Sequence, residues 1–546
     1  MGMQADTKTK KTIFILGAGF MQIPAIEAAR ELGLRVILSD GNPRAPAAHL
    51  ADVFVSIDLK DSDALVDFAL EQKQRGGLDA VFTAATDFSF AVAKIAEACA
   101  LPGHSPESAR NASDKIRMRS CFQKALVPSP AFLEVHERDF SQNFSQIQAS
   151  LPIAYPLVVK PVDNMGSRGC RLVQNKEALY TAVEQALLYS KSKRAILEEY
   201  MEGDEFSIDA LVYEGEVYIT GFADRHIFYP PYFVEMGHTM PTALSREKQE
   251  EIISVFKKGV KALGLSHGAA KGDIKYTKEG CKIGEIAARL SGGYMSGWTY
   301  PYASGISLTK LAIQLALGEK IPLQTMEKQL LPRLHSAERA WISIPGRLKA
   351  IHGMEEAQGI ENVKAVFPRA KVHDELVFPT NNVEKAGNVL TQAKTRKDAI
   401  EAAENAVACL FLELEENNAE TEAFLREDFL TKFPPSAFAA LGDEAAAFLE
   451  KQKNEKPISV LSFINAIESK TAEEAEDFLP PLFQNRSVFD WNYKTIEKSL
   501  DDLAFFIKNN IRLENYTIPA YDFWQAFLRG GSQGLLYILQ KKGSSG

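Results

Sequence analysis

Two acidic residues interrupt otherwise apolar stretches of the chain, and an arginine follows the second of them. Asp273 lies in GDIKYTKEG, Glu285 lies in CKIGEIAARLSGG, and Arg289 comes shortly after. Both stretches are typical of strands joined by a turn over 277–280, which would place the two carboxylates side by side. A carboxylate on an apolar strand is costly unless a cation meets it. Paired carboxylates with an arginine indicate Mg²⁺ holding a polyphosphate; the alternative is a hairpin with two solvated acids.

Two lysines upstream could reach the phosphates of such a ligand. Lys115 lies in a basic helix that we expect Ser113 to cap, and Lys160 closes the apolar strand YPLVVK. A lysine at a strand end either extends into solvent or binds an anion. The loop after Lys160 could cover phosphates with its backbone N–H groups. The loop residues of interest are Gly166, Ser167, Arg168 and Gly169.

Further polar groups occur in the next two segments. In AILEEYMEGDEFSIDALV, Glu198 and Glu205 could accept hydrogen bonds from neutral hydroxyl or amino groups, although surface acids would look the same. The proline-rich stretch DRHIFYPPYFVEMGHTMP is typical of a loop that lines a site. Its polar residues are Arg225, His226, Glu235 and His238.

Composition limits the class of protein. A chain of 546 residues is too long for one core, so several domains are expected. The net charge of −9 argues against a nucleic-acid partner and against an anionic membrane surface. The five cysteines have no CxxC spacing, which favours a reducing cytoplasm over zinc or disulfides. No apolar run is long enough to cross a membrane.

The elements that must position these residues begin with an alternating pattern. Strand-like and helix-like segments alternate from Lys11 to Pro106, which predicts a doubly wound, mostly parallel sheet. Gly17 and Gly19 lie after its first strand, but GAGFMQ lacks the third glycine of the dinucleotide fingerprint. We therefore expect these two glycines to form a tight turn rather than a nicotinamide or flavin site.

Taken in order, the motifs resemble the ATP-grasp family over roughly residues 11–414. They are SDK, VVKP, the glycine loop, EEYMEGDEFSID and the strand EIAAR. The N-terminal part is similar to carboxyaminoimidazole ribonucleotide synthetase, whereas YFVEMGHTMP with EIAARLSGG is closer to the amino-acid ligases. The resemblance implies an α/β and α+β multidomain protein, with an ATP-grasp fold preceded by a doubly wound parallel-sheet domain and followed by a helical appendage. The expected domains are 11–110, 111–330 (with a lid subdomain about 130–205), 331–415 and 416–542.

The resemblance also implies roles for single residues. Lys115 and Lys160 would contact the phosphates of ATP, Asp273 and Glu285 would ligate Mg²⁺ or Mn²⁺, and Arg289 would stabilise an acyl phosphate or oxyanion. Adenine and ribose would meet Glu198, Glu199, Tyr200, Met201 and Glu205. The substrates would meet Arg225, His226, Glu235, His238, Ser291, Gly292 and Gly293. The asparagine that the family places two residues after the metal-binding glutamate is an alanine here, Ala287, so the metal geometry is expected to differ.

The implied activity is an ATP-dependent carboxylate–amine ligase that forms an acyl phosphate and then an amide-type bond between small-molecule or amino-acid substrates. One alternative is a bicarbonate-activating carboxylase, and a second is a non-catalytic nucleotide-binding assembly or regulatory subunit. A homo-oligomer is compatible with each of these three functions. The tail, 416–542, resembles nothing known to us, and we expect its aromatic residues to form a core. They include Phe424, Phe429, Phe438, Phe463, Trp491, Phe505, Phe506 and Trp524.

Overall fold

The computed structural model describes residues 10–149, 151–326, 328–427, 433–468, 480–483, 488–510 and 517–543. The chain divides into two compact units. The first is Met1–Glu338 with Gln392–Ala399, and the second is Arg339–Thr391 with Ile400–Gly546. The finer division into four domains stays a prediction.

The first unit begins with a parallel sheet covered by helices. Its elements are β1 (Thr12–Leu16), α1 (Ile23–Glu31), β2 (Arg35–Ser39), β3 (Val53–Val55), α2 (Ser62–Gln74), β4 (Ala80–Phe82), α3 (Ser89–Ala98), α4 (Pro106–Ser113) and α5 (Lys115–Lys124), with short 3₁₀ helices at Phe20–Gln22 and Ala48–Leu50. The strands pair in parallel in the order β3-β2-β1-β4. Every residue of β1 is buried, as expected of a strand with helices on both faces. The predicted parallel-sheet domain is confirmed.

The glycine turn after β1 is held by bonds within this sheet. Gly17 has a φ of +100° and its N–H donates to the Ser39 carbonyl at 2.8 Å. The N–H of Gly19 donates to Gln22 Oε1 at 2.9 Å, and Gln22 Nε2 donates to the Ala84 carbonyl at 2.6 Å. The turn thus connects the ends of β1, β2 and β4, which is the role predicted for the glycines.

An antiparallel sheet follows. It contains β5 (Phe132–His136), α6 (Glu137–Ala149), β6 (Leu157–Pro161), β7 (Arg171–Val173), α7 (Leu179–Tyr189) and β8 (Arg194–Glu199), with strand order β5-β8-β6-β7. Leu157, Val159 and Leu197 pack into a buried cluster with residues of α6 and α7. Because side chains alternate along a strand, Lys160 and Glu198 lie on the opposite face of the same two paired strands.

A larger antiparallel sheet forms the centre of the unit. Its elements are β9 (Asp204–Tyr213), β10 (Glu216–Phe228), β11 (Val234–Met240), α8 (Arg246–Ala262), β12 (Gly268–Thr277), β13 (Gly280–Ala287), a π-helical turn (Met295–Thr299), α9 (Tyr300–Ser304), α10 (Leu308–Ala316), α11 (Leu323–Met326) and β14 (Ser336–Trp341). Within this unit the strand order is β13-β12-β9-β10-β11-β14. Apolar residues of α8 such as Phe256 pack on Ile274 and Ile283 of the hairpin β12–β13. This packing fixes the strands that carry Asp273 and Glu285.

The second unit combines small sheets with a helical tail. Its elements are β15 (Gly346–His352), α12 (Met354–Gly359), β16 (Val363–Pro368), β17 (Glu375–Leu376), β18 (Gly387–Thr391), α13 (Arg396–Cys409), β19 (Phe411–Leu414), α14 (Ala419–Arg426), a 3₁₀ helix (Ala439–Leu441), α15 (Gly442–Gln452), β20 (Ile458–Ser459), α16 (Val460–Glu468), α17 (Ile496–Asn510), β21 (Thr517–Ile518) and α18 (Ala520–Gly543). Strand β15 pairs with β17 and β19, β16 with β18, and β20 with β21.

The aromatic residues of the tail mostly form its core, as predicted. Phe438, Phe463 and Trp524 are buried in one apolar cluster. Phe505 is an exception, with 71% of its surface exposed, and Phe429 lies outside the described residues. None of the helices in the described ranges combines the length and apolar character that a membrane crossing requires.

Gly203, between β8 and β9, should tolerate no side chain. Its φ is +148° and an added Cβ would lie 2.1 Å from the Tyr276 carbonyl oxygen, whereas at Gly215 (φ +81°) nothing lies within 4 Å of an added Cβ. We expect Gly215→Ala to lower the free energy of unfolding by about 1 kcal/mol through backbone strain. Gly203→Ala should lower the free energy of unfolding by about 1–3 kcal/mol more than Gly215→Ala does, because the added methyl group overpacks the site. Urea unfolding of both variants measures this, and equal losses would contradict the close approach at Gly203.

Candidate active site

The hairpin β12–β13 places Asp273 and Glu285 directly opposite each other, with the turn between Thr277 and Gly280, as the sequence predicts. The register shifts just beyond this pair, so that Gly284 forms a bulge whose added Cβ would lie 3.1 Å from the Asp273 carbonyl oxygen. Bulges bend a strand and redirect neighbouring side chains. The two carboxylates therefore project from one face at a kink in the sheet.

Asp273 is surrounded by donors and cations. Its carboxylate accepts a hydrogen bond from Ser207 Oγ at 2.9 Å and lies 3.2 Å from Arg225 Nη1, and Lys271 also contacts it. Burial would raise the pKa of Asp273, but Arg225 and Lys271 outweigh burial and hold that pKa below its usual range. Asp273 is consequently ionised at neutral pH and able to share its charge with another cation.

Glu285 faces the first of the two predicted lysines. Lys115 Nζ lies 3.6 Å from Glu285 Oε2 and donates to the Asn164 carbonyl of the glycine loop at 2.9 Å. Burial opposes ionisation of Glu285, yet the neighbouring Lys115 and Lys271 lower its pKa. Burial likewise opposes the charge on Lys115, but Glu285 and other acids raise the pKa of Lys115 above its ordinary value. Helix α5 thus joins the glycine loop to the hairpin.

The predicted cap of this helix is wrong. Ser113 ends α4 and its Oγ donates to the Ala109 carbonyl. Asp114 caps α5 instead, because its carboxylate accepts hydrogen bonds from the N–H groups of both Ile116 and Arg117. A carboxylate also complements the positive end of the helix dipole better than a hydroxyl does.

Lys160 and Glu198 meet in a buried cluster that includes a residue the sequence analysis missed. Lys160 Nζ lies 2.6 Å from Glu198 Oε2, and Arg119 Nε donates to Glu198 Oε1 at 2.7 Å. Arg119 Nη2 also donates to the Gly284 carbonyl at 2.5 Å. Burial opposes ionisation of Glu198, but Arg119 and Lys160 lower its pKa to about 2. The available signal was spacing, since Arg119 follows Lys115 by one helical turn.

Arg225 is the centre of a second ion-pair cluster. It contacts Asp273, donates from Nε to Glu235 Oε2 at 2.6 Å, and contacts Glu205. Lys275 Nζ lies 3.5 Å from Glu205 on the other side. Burial would lower the pKa of Arg225, but Asp273, Glu235 and Glu205 raise it well above the usual range. Arg225 and Glu235, predicted to meet a substrate, are therefore linked to Asp273, a predicted metal ligand, and to Glu205, a predicted nucleotide contact.

The two histidines that we predicted to meet a substrate have different hydrogen-bond partners. His238 Nδ1 lies 2.8 Å from the fully buried Glu338, and Nε2 lies 3.8 Å from Glu235. Burial disfavours the imidazolium, but the two glutamates outweigh it and raise the pKa of His238. His226 Nε2 instead pairs with Thr239 Oγ1 at 3.0 Å. His238 thus extends the Arg225 cluster toward β14, whereas His226 contacts the neighbouring strand.

Arg289 pairs with neither hairpin acid. Its Nε lies 3.8 Å from Asp87, which follows β4, and its Nη1 donates to the Leu290 carbonyl at 3.0 Å. Burial raises the pKa of Asp87 although Arg289 opposes that shift. Asp87 was not identified from the sequence, and a polar residue after a strand of the first sheet gave no signal of this long-range contact.

The turn after Arg289 is fixed by a buried acid that the sequence analysis also missed. Asp209 accepts hydrogen bonds from Ser291 N at 3.0 Å and Ser291 Oγ at 2.5 Å. The N–H of Ser291 is therefore already used. Gly293 has a φ of +59°, and an added Cβ would lie 2.6 Å from Glu235 Oε1. The glycine lets the backbone pass close to the Arg225 cluster. An acid in the middle of the strand EFSIDALV was the signal for Asp209.

The remaining predicted nucleotide contacts lie near the end of β8. Glu199 pairs with Lys282 at 3.0 Å, and the ammonium of Lys275 lies 5.1 Å from the ring centroid of Tyr200. Met201 is buried. The glycine loop has positive φ angles at Gly166, Ser167 and Gly169, and Arg168 Nε donates to the Met165 carbonyl at 3.1 Å.

The two carboxylates of the hairpin would suit a magnesium ion whose other ligands came from phosphate and water. Asp273 and Glu285 supply two ionised carboxylates, and no cluster of three or more acidic, histidine or cysteine side chains suited to a metal occurs in the described part of the chain. Mg²⁺ is commonly bound by one or two carboxylates, with phosphates and water completing the shell. Ala287 is buried and offers no ligand atom.

Comparisons with known families agree with the order of the motifs. A model of the ATP-grasp domain matches residues 153–297, and a model of the ATP-grasp N-terminal domain matches residues 26–103. A model of the L-amino acid ligase C-terminal domain 2 matches residues 340–415. These three segments fall within the region of predicted resemblance.

Individual proteins to which the chain is similar include ligases that act on amino acids, by their names. The chain is 25% identical over 383 residues to carnosine synthase 1 of Gallus gallus, covering 66% of this chain but only 41% of that protein. It is 28% identical over 260 residues to the alanine–anticapsin ligase of Bacillus subtilis (strain 168), covering 43% of this chain and 53% of that protein. The solved L-amino acid ligase of Bacillus licheniformis is similar in structure, with a TM-score of 0.64, 24% identity, and coverage of 75% of this chain and 100% of that one. The predicted fold is confirmed.

Asp209 should make stability depend on pH in a defined direction. Burial raises the pKa of Asp209 to about 6 from an ordinary 3.8, although hydrogen bonds from Ser291 oppose the shift. Between these values the unfolded chain has released this proton while the folded chain retains it, so folding stability falls as pH rises. We expect the free energy of unfolding of Asp209→Asn to rise relative to that of wild type between about pH 4 and pH 6, by at most about 1.4 kcal/mol per pH unit.

Denaturant melts of wild type and Asp209→Asn across this range test the expectation. Asp204→Asn, an exposed change on the same strand, is the matched control for the substitution itself. A stability difference between wild type and Asp209→Asn that stays constant with pH would contradict the buried, proton-retaining state of Asp209.

Proposed function

Since this chain belongs to the ATP-grasp family, we propose that it is an ATP-dependent carboxylate–amine ligase that joins small molecules, one of them an amino acid, through an acyl phosphate. The observation that carries the proposal is the convergence of Asp273 and Glu285 with Lys115, beside the Lys160–Glu198 pair. The match of residues 340–415 to an L-amino acid ligase domain favours amino-acid substrates over bicarbonate.

Lys115 and Lys160 would bind the phosphates of ATP. Lys115 extends toward the half-buried Glu285 and Lys160 toward the buried Glu198, rather than into open solvent. Phosphoryl transfer depends mainly on positioning and on cations that offset the phosphate charge. The loop around Gly166 and Gly169 would close over the phosphates and exclude water, because an exposed acyl phosphate hydrolyses.

The metal would be held by Asp273 and Glu285. Bound Mg²⁺ would neutralise charge on the phosphates and align them for transfer. Lys271 and Arg225 keep Asp273 ionised, and Lys115 does the same for Glu285. The chain's own contribution is thus two partly buried carboxylates that stay charged.

Adenine and ribose would lie along the end of β8, against the backbone at Glu198 and the side chains of Glu199, Tyr200 and Met201, with Glu205 at the ribose. Glu205 already pairs with Arg225 and Lys275. A ribose hydroxyl would therefore join an ion-paired carboxylate, which retains lone pairs to accept a hydrogen bond.

The chemistry follows from these positions. A substrate carboxylate oxygen attacks the γ-phosphorus of ATP, and ADP leaves as the acyl phosphate forms. The amine then attacks the acyl carbon, inorganic phosphate leaves, and the amine loses a proton. Arg289 would stabilise the oxyanion with the N–H groups of Gly292 and Gly293, since a guanidinium fork can meet two oxygens. Ser291 would support this turn through its bonds to Asp209.

The substrate groups would be recognised by the Arg225 cluster. Arg225 and His238 could meet a substrate carboxylate, since both favour a positive charge, while Glu235 could meet an amine; His226 would lie nearby on β10. Carnosine synthase and alanine–anticapsin ligase, whose names describe such products, are the relatives that favour an amino acid. A cytoplasmic location, a homo-oligomeric state and the absence of a nucleic-acid partner stay predictions.

The function is tested by a panel of acid–amine pairs with MgATP. We expect sustained ADP formation over many turnovers only when both substrates are present, with a product whose mass equals acid plus amine minus water. Phosphate release that requires bicarbonate and yields a carboxylated amine would instead identify a carboxylase. ATP binding without turnover across the panel would support the nucleotide-binding subunit.

The hairpin acids should be essential for turnover. Glu285→Gln should lower kcat by at least about a hundredfold, because a neutral amide cannot offset the charge of a metal, and Asp273→Asn should do nearly as much. Glu279→Gln in the same hairpin is the matched control, since Glu279 is exposed beside Lys282. Steady-state ADP formation at several Mg²⁺ concentrations is the measurement, with circular dichroism to confirm folding. Wild-type kcat with normal Mg²⁺ dependence in both acid variants would exclude this metal site.

A further inference from the structure

One buried carboxylate, Glu198, is shared by two cations. Arg119 and Glu198 each expose only 1% of their side chains, whereas Lys160 exposes 21%. One cation is enough to neutralise one carboxylate, so this cluster carries a surplus positive charge. The surplus positive charge favours binding of an anionic ligand, and Lys160 is the more exposed of the two cations and can reach such a ligand.

We propose that Arg119 is a positioning residue that serves as the permanent counter-ion of Glu198, so that Lys160 can transfer its charge from Glu198 to a phosphate of the bound nucleotide. The inference rests on the proposed function, in which Lys160 contacts ATP.

Arg119 is suited to remain in place. Its Nε holds Glu198 at 2.7 Å and its Nη2 holds the Gly284 carbonyl at 2.5 Å. Its guanidinium also lies 6.0 Å from the ring centroid of Phe122. A guanidinium stays charged and binds several acceptors at fixed angles. Arg119 therefore has three contacts that a bound ligand need not disturb.

Lys160 is suited to move. It lies near the end of β6, and its ammonium is a point charge on a flexible stem. Without Arg119, moving Lys160 away would leave Glu198 buried with its charge uncompensated, which is strongly unfavourable. With Arg119 present, Glu198 keeps a charge-assisted hydrogen bond when Lys160 leaves. Arg119 thus allows Lys160 to leave Glu198 and bind a phosphate.

Helix α5 connects the Arg119–Glu198–Lys160 cluster to the hairpin that carries Glu285. Lys115 and Arg119 lie one turn apart, so the same helix face contacts Glu285 and the carbonyl of the adjacent Gly284. The rival interpretation is that Arg119 only braces α5 against β8 and β13. The two interpretations differ in how phosphate-bearing and phosphate-free ligands respond to its removal.

The test compares the Kd values of MgATP and adenosine by calorimetry, with the melting temperature as a measure of folding. Arg119→Gln should weaken MgATP binding by about tenfold or more, because Lys160 stays on Glu198. Adenosine affinity should change little. Arg117→Gln is the matched control, since Arg117 is an exposed residue of the same helix. In Arg119→Gln/Glu198→Gln, the MgATP affinity should return to that of Glu198→Gln alone, because the buried charge that retains Lys160 is gone.

Several results would overturn the inference. Equal MgATP affinity in wild type and Arg119→Gln would do so, as would parallel loss of adenosine and MgATP binding with no recovery in the double variant. Failure of the wild type to bind MgATP would instead reject the proposed function together with this inference. If Arg119→Gln does not fold, Arg119→Lys decides the matter. It keeps the charge, so its MgATP affinity should stay within about threefold of wild type, and a tenfold loss with an unchanged melting temperature would refute the role of charge.

Discussion

Ionised carboxylates on buried strands must have cations beside them, and this constraint governs the candidate site. Glu198, Asp273 and Glu285 would each lose their charge in an apolar environment, yet each has a lowered pKa because lysines and arginines lie close by. The cost of removing an unpaired charge from water is large, so each acid is stabilised by the cations beside it. The elements that supply the partners are therefore fixed relative to the hairpin.

The cations come from distant parts of the chain. Helix α5 supplies Lys115 and Arg119, β6 supplies Lys160, and β10 supplies Arg225. Each of these elements packs through apolar residues on its other face, as β6 does against the helices of its own sheet. Hydrophobic packing thus positions the elements, while the charge pairs determine which side chains meet.

This division explains what the sequence could predict. The parallel sheet, the hairpin and the order of motifs follow from local periodicity and from turns such as Thr277–Gly280, because these depend on neighbouring residues. Arg119 and Asp209 were missed although helix spacing and an acid inside an apolar strand marked them, and Asp87 had no such mark. Their partners are distant in sequence, and a lone charged residue more often faces solvent. The bulge at Gly284 was missed for the same reason, because a glycine in a strand does not state which residue it opposes.

The contacts that stabilise the site without a ligand are also those that a ligand must exchange. Lys115 and Lys160 pair with Glu285 and Glu198 across 3.6 Å and 2.6 Å, and a bound triphosphate would compete with both acids for these ammonium groups. Such exchange is inexpensive only where the acid retains another partner. Glu198 retains Arg119, whereas a metal would take over the charge of Glu285. A site of paired buried charges can in this way be stable when empty and still present free positive charge to a nucleotide, because the partners of each acid are redundant.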